Sequence, residues 1–193
     1  MPLVYPIVAI LAASIAMVAI RAPHGHRSTK VKVAMSRKGR LEKVLLTFAW
    51  SGFFIPILWM TTSLFSFADY PLHPAAFWTG VACLVVGLWI FWMSHRDLGT
   101  NWSITLEIRE NHRLITNGVY RIVRHPMYSA LGLYSIGQAL ALPNWVAGPS
   151  YLVPLGILFA FRVRHEERMM RDQFGADYVA YSSRTKRLIP GVW

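Results

Sequence analysis

The chain is poor in acid and nearly without cysteine. Asp and Glu number 9 against 20 Lys and Arg, and only 15% of residues are charged, while 54% are hydrophobic. That is more apolar side chain than a water-soluble domain of 193 residues can hide. The single cysteine, Cys83, lies inside an apolar run, which excludes an intramolecular disulfide, a thiolate metal cluster and a Cys-x-x-Cys redox pair. Cys83 reads as a small apolar filler. Internal repeats, low-complexity tracts and a soluble domain are also missing, and no Gly-x-Gly-x-x-Gly follows an alternating strand, so a Rossmann nucleotide site is not indicated.

A formal charge of +11 first suggests nucleic acid. The distribution excludes that partner, because the basic residues form blocks between long apolar runs, the pattern of a membrane protein with one basic side. A helix needs roughly 20 apolar residues, with about 17 tolerated, to cross the hydrocarbon core. Five runs meet this or come close: Pro2 to Ile20, Val44 to Phe67, Phe77 to Met93, Tyr128 to Leu142 and Trp145 to Phe161. The last two are separated only by Pro143 and Asn144, which predicts a tight helical hairpin. Gly132, Ser135 and Gly137 are small enough for close helix packing, and the two spans of the hairpin are expected to pack on each other. The first run has no basic n-region, so it reads as a retained helix with Arg21 and the basic loop as its stop-transfer flank.

The expected class is thus an all-α integral membrane protein of about five transmembrane helices. Residues 1–93 hold three of them with a basic loop at 21–43; residues 94–193 hold a polar segment 94–127, the hairpin 128–161 and a C-terminal helix and tail 162–193. Lys and Arg number eight in Arg21 to Lys43, five in Arg96 to Arg124 and seven in Arg162 to Arg187, which accounts for all 20. The positive-inside bias then places these segments and the C-terminus in the cytoplasm and the N-terminus outside. The loop 21–43, with Glu42 as its lone acid, reads as a topology determinant on anionic headgroups.

Chemistry is left to two polar segments. The first contains Asn117-Gly118, a turn signal, and Arg124-His125-Pro126-Met127-Tyr128, with Pro126 suited to the first turn of a helix. From spacing alone Arg124 reads either as a snorkelling flank or as a site residue, and His125 either as a cap or as a site residue. In the second, Arg162 and Glu166 are four apart and share a helix face, with Glu167 beside it. This pair reads either as an ordinary ion pair or, at a membrane interface, as a functional one.

These residues, in order, resemble the isoprenylcysteine carboxyl methyltransferase family. The resemblance is carried by Gly118-x-Tyr120, Arg124-His125-Pro126-x-Tyr128, Arg162-x-x-x-Glu166-Glu167, Phe174-Gly175-x-x-Tyr178-x-x-Tyr181 and Ile189-Pro190. Upstream, Leu98-Gly99-x-Asn101-Trp102-Ser103 and Leu106-Glu107 look like its prokaryotic members. The resemblance covers Ser94 to Pro190, half of the chain, and the wider superfamily includes phospholipid N-methyltransferases and sterol reductases that use NADPH.

The resemblance implies an S-adenosylmethionine-dependent methyltransferase, with the cofactor under the cytoplasmic segments and a lipophilic or prenylated acceptor arriving from the bilayer. It assigns Arg162 to the acceptor carboxylate and Glu166 to holding that guanidinium. Cofactor contacts would come from His112, Leu114 and Gly118 around the adenosine, Tyr120, Pro126, Met127 and Tyr128 as walls, Arg124 or His125 for the carboxylate and Glu167 for the ammonium. Neither a metal nor a covalent intermediate is required. Tyr178, Tyr181 and the tryptophans at 92, 102 and 193 read as interfacial aromatics. The competing readings are a phospholipid amine or small thiol as acceptor, an NADPH-dependent sterol-type reductase, and a non-catalytic membrane scaffold; the short chain argues against the reductase, and the intact polar set against the scaffold.

Overall fold

A computed structural model of the chain describes residues 2–28, 33–36, 39–102, 107–109 and 113–192. Among the described residues there are five α-helices: α1 (Val4–Ser28), α2 (Arg40–Thr61), α3 (Pro74–Leu98), α4 (Pro126–Ala141) and α5 (Leu152–Arg184). Two short strands, β1 (Val33–Ser36) and β2 (Glu107–Arg109), pair antiparallel, with Val33 opposite Arg109 and Ser36 opposite Glu107. The ribbon adds β structure to the expected all-α class, and it ties the basic loop to the polar segment that follows α3.

Segments of α1, α2 and α3 are long and apolar enough to cross a bilayer: Val4–His26, Arg40–Thr61 and Pro74–Leu98, with mean hydropathies of 2.1, 1.7 and 1.9. Large apolar side chains such as Val8, Ile15, Phe54, Ile57, Trp78, Val85 and Trp89 are exposed on them. Such surfaces suit lipid rather than water. The first helix runs past Ile20 through Arg21 and Pro23 to Ser28. The second stops at Thr61, short of Phe67: Thr62 turns extended, with its N–H and its hydroxyl both donating to Leu58 O, and the chain tightens into a 3-10 turn over Ser66–Ala68.

The expected tight hairpin over 128–161 needs correction. Helix α4 ends at Ala141 and α5 begins at Leu152, with turns across 142–151 where Trp145 was expected to start a helix. The cause is Asn144, fully buried, whose Oδ1 accepts from Val146 N (2.9 Å) and Ala147 N (2.7 Å). Its Nδ2 donates to Phe65 O and Asp69 Oδ1, both at 2.7 Å, so the side chain fastens this loop to the α2–α3 connection. Small residues also serve a different partner than expected. A Cβ at Gly137 would lie 2.8 Å from Gly80 O, and one at Gly87 3.0 Å from Ala130 O, so α4 seats closely on α3. Helix α5 continues past Phe161 as far as a kink at Gly175, and this stretch carries Arg162, Glu166 and Glu167.

Candidate active site

Two distant segments pair along their backbones and gather the polar residues at the basic end of the bundle. The chain leaving α5 runs beside the one entering α4: Arg124 N donates to Lys186 O at 2.7 Å, His125 N to Arg187 O at 2.9 Å, and Ser129 Oγ to Leu188 O at 2.7 Å. This return depends on Gly175, whose φ of 50° lies where a side chain is strained and which redirects the last turns of α5. From those turns Tyr181 OH donates to Tyr120 O at 2.6 Å.

Glu167 is the hub that results. Its Oε1 accepts from Arg124 Nε (3.0 Å) and Nη2 (2.8 Å), its Oε2 from Arg187 Nη2 (3.0 Å), and His125 Nε2 lies 3.4 Å from Oε1. Arg124 also donates from Nη1 to the Ser182 and Thr185 carbonyls. Burial acts to raise the Glu167 pKa, but the hydrogen bonds from His125, Arg187 and Arg124 outweigh it and hold this carboxyl well below the usual carboxylate range. Burial, then the neighbouring Glu167 charge, push the Tyr178 phenol up to about 12.

One residue earlier on α5, Glu166 forms a second cluster. Its Oε1 accepts from Arg162 Nε at 2.7 Å and from Tyr128 OH at 3.0 Å, and His125 Nδ1 lies 3.5 Å from Oε2. His125 therefore bridges the two carboxylates. Arg162, 9% exposed, has a further acid across from it, with Nη1 3.6 Å from Glu42 Oε1 in the first turn of α2.

Both clusters border a cavity of about 260 Å³. Its polar end is lined by Arg113, Leu114, Tyr120, Arg124, His125, Tyr128, Arg162 and Glu166. The other end is an apolar arm, walled by Met17 and Val18 of α1, Leu46, Trp50 and Phe53 of α2, and Leu155 and Leu158 of α5. Helix α1 seats on α3 and α2 on α5, so the arm lies between two helices that each pack elsewhere.

Most of the sequence-derived site thus falls together: Leu114, Tyr120, Arg124, His125, Met127, Tyr128, Arg162 and Glu166 all line the cavity. Three described residues stand behind the wall. Pro126 is fully buried at the start of α4, Glu167 grips Arg124, and Gly118, at φ 57°, closes a turn in which Val119 N donates to Asp97 Oδ2 at 2.9 Å. His112 lies outside the described residues.

Sequence reasoning left out several neighbours of the site, among them Arg113, and Tyr178 and Tyr181, which are buried against the cavity rather than interfacial aromatics. Trp102, 2% exposed, is a cavity wall and donates from Nε1 to Met127 Sδ at 3.4 Å, although the Asn101-Trp102 pair signalled it. Glu42 was legible as the lone acid of a basic block. Arg21 lines the cavity rather than a membrane edge, and Arg187 in the tail holds Glu167; neither carried a local signal.

This architecture defines a class: a multi-pass helical membrane protein with a polar site at one end of the bundle opening onto an apolar arm. A model of the phospholipid methyltransferase family matches residues 75–177, just over half of the chain. The chain belongs to that family. Among curated relatives it is 35% identical to protein-S-isoprenylcysteine O-methyltransferase B of Arabidopsis thaliana over 96 residues, 49% of each chain. It is 31% identical to protein-S-isoprenylcysteine O-methyltransferase of Homo sapiens over 114 residues, 58% of this chain and 40% of the relative. The chain spans about half the length of the curated relatives it matches. A solved structure, titled that of the eukaryotic intramembrane Ras methyltransferase ICMT (isoprenylcysteine carboxyl methyltransferase), shares the fold with TM-score 0.54 at 24% identity, covering 82% of this chain and 55% of that one. The resemblance carried by the ordered motifs is borne out.

Proposed function

We propose that this chain transfers a methyl group from S-adenosylmethionine to the carboxylate of a lipophilic acceptor, of the isoprenylcysteine kind that its relatives are named for. The observation that carries the reading is a single cavity in which the Arg162–Glu166 pair stands where a polar end meets an apolar arm. A carboxylate on a greasy tail matches both halves of that cavity.

The donor set fits the cofactor. S-adenosylmethionine presents a carboxylate, an ammonium and a sulfonium, and supplies an electrophilic methyl group when bound. Arg124 and His125 offer donors for the carboxylate, Glu166 an acceptor at the cavity wall, and Trp102, Tyr120, Met127 and Tyr128 apolar and aromatic surface for a soft cation. Leu114, with His112 and Gly118 near it in sequence, is assigned to the adenosine side. Glu167 was expected to take the ammonium; with Arg124 and Arg187 already on its oxygens, it supports the cofactor chiefly by holding Arg124 and His125 in place. Arg162 then binds the acceptor carboxylate and turns one oxygen toward the methyl group, while Glu166 and Glu42 fix the guanidinium. In-line displacement demands mostly alignment and exclusion of water, for which near-ideal placement contributes up to roughly 7 to 11 kcal/mol.

The wider arrangement in this reading has five crossings, with the basic end and the C-terminus cytoplasmic and the N-terminus outside. Residues 94–193 form the methyltransferase core, and the acceptor enters from the bilayer between α1 and α2. Calorimetric titration of the purified chain tests the cofactor assignment: S-adenosylmethionine binds and NADPH does not. Binding of NADPH alone would transfer the site to a reductase. A phospholipid amine acceptor, which the family's name brings forward, predicts an N-methyl product instead.

A further inference from the structure

Among the described residues, Arg21 is a charged residue with no matching acid. It follows an apolar run from Pro2 to Ile20 with no charge in it, and it sits inside α1 rather than at its end. Its Nε is buried and makes no hydrogen bond, and among the described residues no carboxylate pairs with it. Aromatic faces hold the guanidinium instead, 5.3 Å from the Phe91 centroid and 5.7 Å from that of Trp102. Such contacts keep a guanidinium in place but leave its buried Nε donor unused. His24 and His95 pack edge-on beside this group, 5.3 Å apart, and add no anion.

Arg21 also lines the same cavity as Arg162 and lies close enough to feel its charge. The two cations differ in company. Arg162 is placed between Glu166 and Glu42, and Arg124, another cation of the wall, is paired with Glu167. A guanidinium whose buried Nε has no partner, facing a cavity in which Arg162 and Arg124 are paired with acids, is a built anion site.

We propose that Arg21 is an acceptor-binding residue that selects for negative charge, closing with Arg162 on the acceptor carboxylate. This rests on the carboxylate reading above and deepens it. Methylation removes the carboxylate charge and with it the pairing, so the neutral ester leaves Arg21 unmatched and is released. A cationic amine in the same position would be repelled.

The test compares wild type, Arg21→Gln and Arg21→Lys, using an N-acetylated S-prenylcysteine, its methyl ester and its primary amide as probes in detergent or nanodiscs. Wild type binds the acid more tightly than the ester or amide. Arg21→Gln raises KM for the acid about tenfold or more, with the larger part of the loss in KM rather than kcat, and abolishes the preference for acid over ester. Arg21→Lys recovers part of that preference, and S-adenosylmethionine affinity is kept in both variants, which also shows that they fold. The proposal is overturned if Arg21→Gln leaves acid binding unchanged, if acid and ester weaken equally, or if cofactor affinity is lost together with acceptor affinity in both folded variants. Wild type that prefers the acid but does not methylate it would instead contradict the carboxyl-transfer reading, and wild type indifferent to the acid would contradict both.

Discussion

Arg124 and Glu167, 43 positions apart, meet through two guanidinium hydrogen bonds of 3.0 and 2.8 Å to one carboxylate oxygen, with both side chains about nine-tenths buried. The pair joins the entrance of α4 to the middle of α5, and His125, 3.4 Å from the same carboxylate oxygen, is placed by it.

Glu167→Gln leaves Arg124 buried without its counter-charge, and removing one partner of such a pair typically costs about 3 to 5 kcal/mol. The expected outcome is a lowered unfolding temperature in detergent, together with weaker S-adenosylmethionine binding as Arg124 and His125 lose their position.

The same variant has a pH signature. Because the folded-state pKa of Glu167 is depressed, its contribution is complete above the unfolded carboxylate value and lost as pH falls toward the folded one. The unfolding-temperature gap between wild type and Glu167→Gln is therefore constant near neutrality and narrows below about pH 4, following the ordinary Glu pKa of about 4.3. A thermal-shift series against pH reads it directly.

Arg162→Gln is expected to lower turnover by about a hundredfold or more, since misplacing a reacting group by an ångström has that effect. Cofactor affinity should survive. Glu42→Gln acts through the guanidinium at 3.6 Å and, with Glu166 still in place, should lower turnover less, about tenfold. Loss of cofactor binding in Arg162→Gln would move that residue to the cofactor site.

Gly118→Ala places a Cβ onto the Asp97 carboxylate at a backbone φ of 57°. The left-handed conformation alone costs a side chain roughly 1 to 2 kcal/mol. The turn that carries Val119 and Tyr120 should loosen, which a lower unfolding temperature and weaker cofactor binding would reveal.

Gly80→Val drives a branched side chain against Gly137 O, 2.8 Å from where its Cβ would stand. Helices α3 and α4 cannot keep their separation. Folded yield and thermal stability should fall sharply, while Gly132→Ala, with nothing within 4 Å of its Cβ, should change neither.

What was legible in the sequence follows from how local each signal is. The first three apolar runs are continuous, and a bilayer admits little but a helix there. Arg162 and Glu166 were readable because four-residue spacing on a helix fixes their meeting, and Arg124, His125 and Tyr128 because they sit in an ordered motif. The connection 142–151 was misread because Asn144 takes its partners, Phe65 and Asp69, from another loop 79 and 75 positions away. Arg21 and Glu42 were absorbed into a topology argument for the same reason: what distinguishes them is a partner, or the lack of one, that only packing reveals.

The central claim is best tested by incubating the purified chain with methyl-labelled S-adenosylmethionine and a lipophilic prenylcysteine acceptor, then treating the product with base. The account predicts a labelled ester whose methyl is released as volatile methanol, formed about a hundredfold or more slowly by Arg162→Gln. Label that resists base and remains on an amine, or no transfer to any carboxylate acceptor, would contradict it.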